Sequence, residues 1–125
     1  MAEIKKYEQK SFSHLKGLKG ITDEVLENHL SLYEGYVKRA NALTDRLMAL
    51  AKEKRASGAD PVYAELTRRL GFERNGVILH ELYFGNLTPN QRQLSPNSKL
   101  KAAMEKSFGS YETWLDDFKA IATMP

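Results

Sequence analysis

Cysteine is absent from this chain of 125 residues, and with it go disulfides and every thiolate metal site. Long apolar runs are absent too. No stretch approaches the ~20 residues that span a bilayer, and the first residues lack the apolar core of a secretory signal. A cytoplasmic protein without a membrane partner is the expectation. Charge of one sign is scarce: 19 Lys and Arg face 16 Asp and Glu, a net charge of +3. The signs are interleaved, so no strong field for a nucleic-acid partner follows. Only the start is biased, where Lys5, Lys6, Lys10, Lys16 and Lys19 outnumber Glu3 and Glu8; it reads as a solvated basic entry segment. No segment alternates at period two, and no repeat or low-complexity tract occurs, which leaves an all-α chain. Nucleophilic triads and phosphate-cradling Gly loops find no support.

What is present is helical patterning. Residues 1–21 form an irregular lead-in, with Phe12, Leu15, Leu18 and Ile21 at every third position, broken by Gly17 and Gly20. Thr22 and Asp23 supply cap chemistry, with Glu24 and Glu27 in the first turn. Val25, His29, Leu32, Tyr36, Ala40, Leu43, Leu47 and Leu50 follow at intervals of four, three, four, four, three, four and three. This predicts a helix of about seven or more turns with one buried stripe. Gly35 within it marks a close backbone approach by a neighbour. The helix stops around residues 56–61, with Gly58 as the C-terminal stop, Asp60 as the next N-cap and Pro61 at the first helical position.

The second helix runs to about Asn86. Val62, Leu66, Leu70, Val77, His80 and Phe84 trace one face, and Phe72, Gly76, Leu79 and Tyr83 the next, a width that predicts cover on more than one side. So short a loop makes the pair a long antiparallel hairpin. Residues 88–97 are rich in turn formers and read as a linker. Beyond it come two shorter helices, one through Leu100, Ala103, Met104 and Phe108, the other through Tyr111, Trp114, Leu115, Phe118 and Ile121. The organisation expected is thus 1–87, an arm and hairpin; 88–97, a linker; and 98–125, the shorter helices.

Two histidines carry the chemistry. Tyr36 lies seven residues after His29, and Tyr83 and Phe84 lie three and four after His80. At 3.6 residues per turn each imidazole shares a stripe with an aromatic ring. A neutral imidazole on an apolar face must hydrogen-bond something or bind metal. Two of them on adjoining helices suggest half of a metal site. His14, in the arm, reads as a surface residue.

Three segments carry a resemblance. His29 followed by Tyr36-Val37 and Asn41 is similar to the first helix of the iron/manganese superoxide dismutases. Phe72, Asn75-Gly76, His80, Tyr83-Phe84 and Asn86-Leu87 resemble its second helix, and Phe108-Gly109-Ser110-Tyr111 the start of its C-terminal domain. The likeness runs from about Phe12 to Ala122. That family disproportionates superoxide at one metal ion, iron or manganese, held by three histidines, an aspartate and a solvent molecule. Neutral imidazoles suit first-row metals and the carboxylate offsets charge. The resemblance implies that His29 and His80 are metal ligands and that Tyr36 is the catalytic tyrosine at the substrate entrance.

Three departures accompany it. The Asp-x-Trp-x-x-His signature that supplies the other two ligands is absent and would lie beyond Pro125, as would the family's C-terminal sheet. The His-to-Tyr interval is seven where the family commonly has eight, so the family's gateway histidine falls on Leu32 counted from Tyr36, or on Tyr33 counted from His29. Gly76 stands where iron-type members often carry Gln, which looks manganese-like. Glu81, Asp116 and Asp117 are the available substitute carboxylates, but Glu81 points about 100° from His80 in a helix, and the aspartates sit on a polar face. The resemblance therefore implies superoxide as substrate, with self-association or a complementary C-terminal chain as partner. The alternative is a non-enzymatic helical interaction module derived from that family.

Overall fold

Four helices and one 3-10 turn make up the described residues, 5–125, of the computed structural model, and no strand occurs among them. The all-α expectation is met. Residues 1–4, the beginning of the expected lead-in with Glu3, lie outside the described residues. The turn is Ser13–Leu15; α1 is Asp23–Lys52, α2 Pro61–Gly85, α3 Lys99–Phe108 and α4 Tyr111–Ala122. Two compact units result, one reaching to Pro89 and the other comprising Asn90–Pro125.

Helix α1 begins where Thr22, in extended conformation, accepts a hydrogen bond from the Val25 N–H at 3.2 Å, with Asp23 and Glu24 against the positive helix end. It ends earlier than Gly58. Lys54 takes the left-handed conformation (φ 58°), its N–H donates to Ala51 O, and the Arg55 N–H reaches back to Leu50 O at 2.9 Å. These two bonds satisfy carbonyls that the helix end would otherwise leave open, which offsets the cost of a side chain at positive φ. Asp60 then caps α2, accepting from Val62 N–H and Tyr63 N–H, and Arg55 holds its other oxygen at 3.0 Å. Pro61 follows at the first position, as its pattern predicts.

The two long helices run antiparallel. His29 meets His80 and Phe84, Tyr36 meets Phe72, and Arg39 meets Glu73, so the register descends along α2 as it rises along α1. The buried stripe of α1 differs from the one expected. Leu26, Tyr33, Val37 and Ala40 are buried, whereas Val25 and Leu32 are 57% and 60% exposed. One residue along a helix is about 100° of rotation, and the arm decides which face is sealed. Phe12 and Leu15 are buried there, Phe12 packing on Tyr33 and Phe84 at 5.9 and 5.1 Å. On α2, Val77 and Phe84 enter the core of this unit, while Phe72, Leu79 and Tyr83 stay exposed.

The arm is tied down by polar contacts as well. Tyr7 exchanges two hydrogen bonds with the Asn41 side chain, both 2.9 Å, and its hydroxyl accepts from Arg74 Nε at 2.8 Å. In the second unit, Ser98 and Ser110 cap α3 and α4, and Gly109 takes a positive φ of 85° between them, where a side chain would be strained. Trp114 stacks between Tyr111 and Phe118 along α4.

Candidate metal centre

The hairpin brings His29 and His80 together. Their ring centroids are 4.9 Å apart with the planes at 76°. His80 Nδ1 lies 2.7 Å from the Gly76 carbonyl one turn back. A carbonyl only accepts, so Nδ1 is the donor in this bond and Nε2 is the nitrogen left for another partner. His29 is half-buried against Tyr83 and Phe84 at 5.1 and 4.9 Å. Burial first, and the nearness of His80 second, lower its pKa below the ordinary 6.5, so its imidazole is neutral at pH 7. Two imidazoles side by side among aromatic rings are a donor pair suited to a first-row metal.

Tyr36 reaches the same place, 5.0 Å from the His80 ring. Glycine at position 76 is what admits it: a Cβ there would fall inside the carbons of the Tyr36 ring. Gly76 therefore does two things, seating the phenol and offering the carbonyl that orients His80. Arg39 lies over the Tyr36 ring at 5.0 Å. At Gly35 the missing side chain leaves room for the end of Arg39, not for a neighbouring backbone as the sequence suggested.

Of the two gateway positions, Leu32 is 60% exposed and Tyr33 is fully buried. The Tyr33 hydroxyl accepts from the Lys10 N–H at 3.0 Å and donates to Glu81 Oε1 at 2.9 Å. Its ring stacks near His80 at 6.4 Å, and burial raises its pKa. Glu81 is also bound to Lys10 Nζ at 2.6 Å, so this carboxylate is engaged away from the imidazoles. Asp116 and Asp117 are exposed on α4, and His14 is exposed in the arm.

Two residues have roles here that the sequence did not disclose. Glu73 is completely buried on α2, its oxygens taken by Arg39 Nε at 2.9 Å and Arg69 Nη2 at 2.7 Å. Only the Arg69-to-Glu73 spacing of four hinted at it. Asn41 was noted as a motif position, yet its work is to bind the arm's backbone. Among the described residues no group of three or more His, Cys, Asp or Glu gathers. His29 and His80 thus fit part of a metal's coordination sphere, and the remaining donors are not among these residues.

No family model matches the chain. It is 34% identical over 122 residues to an iron superoxide dismutase of Aquifex pyrophilus, covering 95% of this chain and 57% of that one. To the iron superoxide dismutase of Aquifex aeolicus it is 35% identical over 114 residues, 87% of this chain and 53% of that one. A manganese superoxide dismutase of Haloferax mediterranei is 34% identical over 91 residues, 73% and 60% respectively. The chain spans about half the length of the curated relatives it matches, and its helices agree with an N-terminal helical domain of that family. By these likenesses the chain belongs to the iron/manganese superoxide dismutase family.

Proposed function

We propose that this chain supplies half of a superoxide dismutase metal centre, with His29 and His80 as two of the ligands and Tyr36 as the phenol at the substrate entrance. The observation that carries the reading is the meeting of the two imidazoles across the hairpin at 4.9 Å. An iron or manganese ion, when bound, would supply the one-electron steps by which two superoxide ions and two protons become oxygen and hydrogen peroxide.

The chain's own residues do the rest. The Gly76 carbonyl engages His80 Nδ1, which leaves Nε2 as the nitrogen for a cation. His29 is kept neutral by its surroundings. The aromatic rings of Tyr83 and Phe84 against His29 exclude water from one side and narrow the approach. Tyr36, beside His80 and half-buried, is placed to hold a proton on its hydroxyl where a small oxyanion would arrive. An aspartate and a third histidine must be supplied by residues outside those described.

The test is reconstitution. The chain is refolded with a segment of a relative carrying the Asp-x-Trp-x-x-His signature, and bound iron and manganese are counted by mass spectrometry. One ion per complex is expected, with dismutase activity, and loss of both in His29→Ala and His80→Ala. Metal uptake indifferent to both substitutions would refute the reading. It would favour the interaction-module alternative, which the exposed Leu79, Leu82 and Phe118 support.

A further inference from the structure

In the second unit a surface cavity of about 460 Å³ is lined by Arg92, Gln93, Leu94, Lys101 and Tyr111. No carboxylate lines it. Among the chain's other arginines, Arg39, Arg55, Arg68 and Arg69 pair with carboxylates and Arg74 donates to Tyr7, while Arg46 on α1 lines no such cavity. Arg92 has no ion pair or hydrogen bond among the described residues, nor do the Gln93 amide and the Tyr111 hydroxyl. Lys101 has a partner, Glu105, at 3.5 Å, a distance that leaves the ammonium other donors to use.

The surroundings are charged against the grain of the helix. Acids favour the first turn of a helix and cations its last, and α1 and α4 obey with Asp23, Glu24 and Glu112. Helix α2 has no acid in its first turn but is capped by the carboxylate of Asp60; helix α3 has none either, is capped by the neutral Ser98 and carries Lys99 and Lys101 near its start. No acid occurs between Asn90 and Met104 either. Residues bearing an unpaired guanidinium, an ammonium, an amide and a phenol thus line one cavity, and one of them, Lys101, stands in the first turn of α3. A local rule broken without a compensating contact is where a ligand is to be sought.

We infer that this cavity binds the phosphate group of a small phosphate monoester. Arg92 offers a planar fork for two oxygens, Lys101 a point charge, and the Gln93 amide and Tyr111 hydroxyl neutral donors. Leu94 and the Tyr111 ring give an apolar wall for the substituent. The volume lies within the range of small-ligand sites and is too large for a bare oxyanion alone.

The experiment titrates the full ¹⁵N-labelled chain with phenyl phosphate and, separately, with inorganic phosphate, at low and constant ionic strength. Saturable shifts confined to the amides of residues 92–94, 101 and 111 are expected, with phenyl phosphate the tighter ligand. Arg92→Gln should weaken both about tenfold or more, and Tyr111→Phe, which keeps the ring against Trp114, by a smaller factor of about five. Leu94→Ala should remove the advantage of phenyl phosphate while leaving inorganic phosphate unchanged. Helicity by circular dichroism checks that each variant folds. Shifts spread equally over Lys5, Lys6 and Lys10, or an affinity unaltered by Arg92→Gln, would overturn the assignment.

Discussion

Single atoms decide most of what happens at the paired imidazoles. His29 is held below its ordinary pKa of 6.5 by burial and by His80. A proton-resolved NMR titration should place its midpoint under that value, and His80→Ala should move it part of the way back. Because the unfolded chain binds this proton more readily, stability is full above the ordinary value and declines as pH falls through 6.5 towards the lowered one. Gly76 is the second decisive residue. Alanine there would gain roughly 1 kcal/mol of helix propensity but force the Tyr36 ring away from His80, at a cost of about 1–3 kcal/mol. Urea unfolding of Gly76→Ala should therefore show net destabilisation, and the same change in a Tyr36→Ala background should stabilise. Equal effects in both backgrounds would mean the ring is not seated on Gly76.

At the scale of the elements, the hairpin is held by its ends and by one buried acid. The Tyr63 and Val62 amides and Arg55 hold the Asp60 carboxyl below its ordinary 3.8. That contribution is complete above this value and is lost as pH falls through the lowered one. Asp60→Asn keeps a capping oxygen but cannot titrate, so its urea midpoint should fall less steeply in acid than that of the unaltered chain. Glu73 joins α2 to α1 through Arg39, while Arg69, one turn earlier on α2, holds its other oxygen. Both arginines are about half exposed, which screens the pairs, yet Glu73→Gln leaves a buried amide between two guanidinium groups and should cost about 2 kcal/mol. The arm depends on Asn41 in the same way. Asn41→Ala removes both bonds to Tyr7, and hydrogen exchange should report loss of protection at the Tyr7 and Lys10 amides while α1 keeps its own.

Across the whole molecule the exposed apolar residues stand out. Leu79 and Leu82 on α2 are 63% and 59% exposed, and Phe118 and Ile121 on α4 are 56% and 59% exposed. Apolar side chains clustered on a surface favour association. Sedimentation velocity over the micromolar range should show concentration-dependent self-association, reduced by Leu79→Lys or Phe118→Lys. A strict monomer throughout would mean that these residues form no working interface.

The chain by itself determined the helices, the caps that start α1 and α2 and the identity of the paired histidines. Each of these follows from contacts within a few residues: spacing at 3.6 per turn, the Thr22 and Asp60 caps, and motif residues that lie close in the chain. Tertiary structure decided what depends on long-range neighbours. The arm's Phe12 and Leu15 selected Tyr33 and Leu26 over Leu32 and Val25 as the buried face of α1. A distant Lys10 and Glu81 turned the Tyr33 phenol into the arm's anchor, and Arg39 made a buried acid of Glu73. Periodicity locates an apolar stripe to within a residue, or about 100° of helix. Which edge of it is sealed is set by whatever packs there, and that partner sits dozens of residues away.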